Sequence, residues 1–65
     1  MKIFTIIVYM KFYNFIGADK NKLIKISYKC EDDFPIQNFL HCKGYSIHSI
    51  EQTDYPLFDI VITLI

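Results

Sequence analysis

Residues 23–30 read LIKISYKC, and the alternation is strict. Ile24, Ile26, Tyr28 and Cys30 fall on one side, Lys25, Ser27 and Lys29 on the other. A period of two with one apolar side is the signature of a strand lying on a core. A strand needs neighbours and something to cover its apolar side, so the rest of this 65-residue chain must supply both.

The nearest neighbour is upstream. Residues 2–13, KIFTIIVYMKFY, are rich in Ile, Phe, Thr, Val and Tyr and hold neither Gly nor Pro, which is strand composition. Phe15 and Ile16 extend the run, and Gly17-Ala18-Asp19-Lys20-Asn21 reads as a turn. Phe4, Ile6, Val8, Met10 and Phe12 form a purely apolar side. For that side to join the apolar side of 23–30, paired residues must have numbers of equal parity. An odd loop or a bulge is then required, and an even, unbulged loop overturns this assignment.

EDDFPIQNFLHCKGY follows. Asp32 or Asp33 is placed to cap a helix, Pro35 suits its first turn, and Ile36, Phe39 and Leu40 make an apolar stripe. Gly44 is a helix stop. The spacing predicts a helix over 34–43. YSIHSIE predicts a short strand over 45–51, TDYP a turn, and LFDIVITLI a last strand over 57–65. That last strand is apolar on nearly both sides, which suits the middle of a sheet.

The element order is ββαββ, a single α+β domain over residues 1–65 with a four-stranded mixed sheet and one helix on one face. With the two apolar end strands as parallel neighbours, the spatial order is 2-1-4-3, similar to the β-grasp arrangement. The alternative is an all-antiparallel sheet of order 2-1-3-4. No Gly-Gly tail follows Ile65, so the topological likeness brings no conjugation role.

One ten-residue helix covers one sheet face. The other is expected to carry Ile7, Tyr9, Lys11 and Tyr13 from the first strand with Lys25 and Lys29 from the second. Apolar area left over in this way marks a surface for a protein partner, a second copy included. Tyrosines beside lysines also suit base stacking and phosphate neutralisation, so nucleic-acid binding is the alternative. Seven basic residues balance seven acidic ones, which weakens that alternative.

Catalytic and metal chemistry find little to use. Cys30, His41, Cys42 and His48 lack a paired CxxC knuckle, and adjacent helical residues such as His41 and Cys42 point apart. Cys42 with either histidine lacks an orienting third group. We therefore expect no enzyme activity, no metal and no cofactor. The opening MKIFTIIVYMK is interrupted by Lys11 and has no small-residue cleavage site, and no apolar run reaches the ~20 residues of a membrane span. Cytoplasmic location with reduced thiols is the expectation. The functional expectation is a small interaction module acting by occlusion, such as a phage or mobile-element inhibitor of host machinery, anti-CRISPR proteins included.

Overall fold

The computed structural model describes residues 10–64. The element order is ββαββ: β1 Met10–Asp19, β2 Lys22–Glu31, α1 Ile36–Cys42, β3 Ser46–Thr53 and β4 Val61–Thr63. The four strands form one mixed sheet with the helix on one face, the expected α+β class. Of the expected first strand, residues 2–9 lie outside the described residues.

The β1–β2 hairpin is tighter and longer than the sequence implies. Asp19 pairs with Lys22, so the loop is Lys20-Asn21 alone. Lys20 takes a φ of 58°, the positive sign that two-residue hairpin turns demand. The loop is even and unbulged, and it reverses the expected face assignment. Tyr13 sits opposite Tyr28 and Phe15 opposite Ile26, so the odd residues of β1 share the apolar side of β2. Phe12 pairs with Lys29 on the reverse side.

The spatial order is β3-β1-β2-β4, neither 2-1-4-3 nor 2-1-3-4. Both sides of β1 are occupied by long antiparallel ladders, with Phe15 opposite both Ile26 and Ile50. A three-residue strand does not displace either, and β4 instead pairs in parallel with β2 at the sheet edge. The expected central position for the last strand is thereby corrected, since all three of its residues are exposed.

The core lies under α1. Ile36 and Leu40, one turn apart, are buried against Phe15, Ile26 and Tyr28. Aromatic rings fill what so short a helix cannot cover. Phe15 stacks on Tyr45 at 5.9 Å, and Tyr28 meets the edge of Phe39 at 5.8 Å. Gly44, at φ 82°, ends the helix. The Gly44 N–H donates to the His41 carbonyl and the Tyr45 N–H to the Leu40 carbonyl, the paired bonds of a Schellman stop. The N-terminus departs from expectation. Pro35 occupies the cap position, no side chain bonds there and no acidic residue lies in the first turn. Asp32 is engaged elsewhere, accepting hydrogen bonds from Gln52 Nε2 at 2.8 Å and the Tyr13 hydroxyl at 3.4 Å.

Two crossings complete the fold. β2, β3 and β4 all run the same way. The β2–β3 connection carries α1 across the apolar face. The β3–β4 connection travels back in the opposite direction. With the same hand kept for both, it must pass on the other face.

Candidate functional site

That second crossing, residues 54–60, is a strap over the reverse face. A buried polar ladder on the sheet holds it down. Asn14 Nδ2 donates to Thr53 Oγ1 at 2.7 Å, and Ser27 Oγ donates to Asn14 Oδ1 at 2.6 Å. The Leu57 N–H donates to Asn14 Oδ1 at 3.0 Å and the Phe58 N–H to Ser27 Oγ at 3.1 Å. The Ser27 N–H donates in turn to the Ile60 carbonyl at 2.8 Å. Asn14 and Ser27 are almost fully buried, at 2% and 0% exposure. They satisfy strap amides that would otherwise lie unpaired against the sheet.

The open reverse face expected from the sequence is thus closed at its centre. The expected binding residues are also not brought together. Ile7 and Tyr9 lie outside the described residues. Lys11 and Tyr13 point to the helix side, where Lys11 pairs with Asp54 at 3.5 Å and Tyr13 bonds Asp32. Lys25 and Lys29 point to the strap side. Lys25 borders an open hollow of about 320 Å³ with Leu57, Phe58, Asp59 and Ile60, and Lys29 lies over the Phe12 ring at 5.7 Å. The even hairpin loop is the cause, because it sets Tyr13 and the lysines of β2 on opposite faces.

What sequence reasoning missed is the strap's outer side. Its Leu57 and Phe58 amides face inward to Asn14 and Ser27, Phe58 is half-buried, and three apolar side chains face out: Tyr55 is 60% exposed, Leu57 46% and Ile60 56%. Val61 and Ile62 of β4 continue the exposed apolar run. The signal lay in residues 55–62, YPLFDIVI, read as turn and central strand rather than as a surface segment.

The other chemistry-bearing side chains are dispersed. Cys30 is buried in the core face, while Cys42 is exposed on the helix. Among the described residues no three of His, Cys, Asp and Glu converge. No described helix is long and apolar enough to cross a membrane. Comparison of the chain with known protein families, curated proteins and solved structures returns no match in any of the three.

Burial raises the Cys30 thiol and the Tyr28 phenol above their ordinary values. Tyr13 is raised by partial burial first and by the Asp32 carboxylate second. Each of these groups holds its proton more tightly when folded. The stability they contribute is intact below the ordinary values of 9.0 for the thiol and 10.0 for the phenols, and it is lost as pH rises through the raised folded values. Urea midpoints should therefore fall from about pH 9 upward, and Cys30→Ala should delay the onset toward about pH 10. A midpoint that holds level through this range would contradict the assignment.

Proposed function

We propose that this protein is a small non-enzymatic interaction module whose docking surface is the outer side of the strap. One observation carries the reading: the strap turns its Leu57 and Phe58 amides to the sheet and leaves Tyr55, Leu57 and Ile60 in solvent. A connection that needed only to span the sheet would gain nothing from exposed Tyr, Leu and Ile. Side chains of this kind provide docking energy by leaving water at a partner's surface. The partner is a protein with an apolar patch, and the mechanism is occlusion of that patch. A small inhibitor of host machinery borne by a phage or mobile element, an anti-CRISPR included, is a role that such a surface serves.

Capture from cell extract tests it, with the intact chain as bait beside Leu57→Lys and the pair Lys25→Glu, Lys29→Glu. A protein should be retained by the intact chain and by the glutamate pair, at low and high salt alike, and lost tenfold or more with Leu57→Lys. Retention of nucleic acid that salt releases would replace this reading with an electrostatic one. Capture indifferent to Leu57 would remove the strap from it.

A further inference from the structure

β4 ends the sheet with Val61, Ile62 and Thr63, flanked by Ile60 and Leu64. Its inner side is bonded to β2: the Ser27 N–H reaches the Ile60 carbonyl and the Leu64 N–H reaches the Lys29 carbonyl, both at 2.8 Å. Alternate residues of a strand direct their backbone groups to the same neighbour. The even-numbered residues of this segment therefore face β2, and the N–H and C=O groups of Val61 and Thr63 point outward. Among the described residues no strand lies beyond β4. Sheet edges that stay single are guarded by brevity, lysine, proline, bulges or inward charges. β4 is short, at three residues, but residues 60–64 hold no lysine, proline or charge, no bulge interrupts the pairing with β2, and Val61, Ile62 and Thr63 are exposed.

We infer that β4 is a dimerisation edge, and that its occupant is the β4 of a second copy running antiparallel. The register follows from which groups point outward. Val61 must exchange hydrogen bonds with Thr63 of the second copy, and Thr63 with its Val61, which gives four new bonds. Ile62 then lies opposite Ile62 on the two-fold axis, in the close non-hydrogen-bonded position where β-branched pairs pack best. Ile60 lies opposite Leu64. Every one of these pairs is uncharged, and the segment is complementary to itself, as a two-fold interface requires. A shift of two residues would bring the charged Asp59 into the ladder against Thr63, with Val61 opposite Val61. The chain's zero net charge leaves no long-range repulsion between copies.

The test is sedimentation equilibrium of the full chain across roughly 10 μM to 1 mM, since self-association depends on protomer concentration. The mass should rise from 7.7 kDa to twice that value. Val61→Pro removes only an outward N–H, a change that edge strands tolerate, and should weaken the dimer tenfold or more. A chain that stays monomeric throughout overturns the proposal and leaves the edge to a strand of another protein. A dimer untouched by Val61→Pro overturns it as well. Should the proline variant fail to fold, amide exchange on the unaltered chain decides. The Val61 and Thr63 amides should gain protection as concentration rises, and constant rates would overturn the pairing. Leu57→Lys should leave the mass doubled, so loss of strap docking and loss of edge pairing are told apart.

Discussion

Gly17→Ala is expected to unfold most of the protein. Gly17 lies where the β1–β3 register slips, between Ile16 and Gly17. A Cβ there would run into the Ser46 carbonyl oxygen and the Phe15 ring, whose Cε1 would lie 2.6 Å away. Neither neighbour is free to yield. The Ser46 oxygen is backbone within a paired strand, and Phe15 is fully buried between Tyr28 and Tyr45. Overpacking costs about 1–3 kcal/mol where neighbours shift, and the upper end or more is expected where, as here, they are backbone and a buried ring. A core of this size supplies only roughly 3–5 kcal/mol of net stability. Thermal melting followed by circular dichroism should show the midpoint down by at least about 15 °C, or no transition at all. Gly44→Ala is the internal comparison. It places alanine at φ 82° in open space, which costs about 1 kcal/mol of backbone strain and no clash. A Gly17→Ala chain that melts as high as Gly44→Ala would mean that the bulge relaxes freely.

Asn14→Ala should release the strap. Three partners depend on that one amide: Thr53 Oγ1, the Ser27 hydroxyl and the Leu57 N–H. A buried polar group left without a partner costs about 1–3 kcal/mol. The total loss is expected at about 2–4 kcal/mol, bounded because water can reach the strap once it lifts. Amide exchange should locate the effect. The Leu57 and Phe58 N–H groups should exchange much faster, while the amides paired between β1 and β2 change less. Ser27→Ala should give a smaller loss centred on Phe58, whose N–H it alone satisfies. If Leu57 keeps its protection in Asn14→Ala, the ladder is not what holds the strap.

The parts of the fold legible in the sequence are those with one clear period or one clear punctuation mark. LIKISYKC declares β2, and Ile36 with Leu40 and Gly44 declare α1 and its stop. The face of β1 was not legible, because apolar residues occupy both parities of its sequence and the register hangs on the loop. Gly17 invited a turn assignment, yet its use is close approach to the Ser46 backbone, and the turn falls to Lys20, which nothing local demands. Asp32 is a helix cap by spacing, and a hydrogen-bond acceptor for Tyr13 and Gln52 in fact. The candidate surface was the least legible. Residues 57–60 are apolar enough for a buried strand, and only the path of the chain reveals that they lie on the outside. The hand of the crossovers would have sent that path across the reverse face, but only for a sheet in which β4 had already been placed beyond β2.

From Glu31 onward the chain makes one full circuit of the β1–β2 hairpin, in front as helix and behind as strap. The hairpin is therefore a mandrel, and the C-terminal half is wound on it. The local two-residue turn and its ladder close the shortest loop in the sheet and are expected to form early in folding, before the windings laid over them. Release runs the other way: the last-laid lap, which carries the solvent-facing tyrosine and leucine, is the first to come loose.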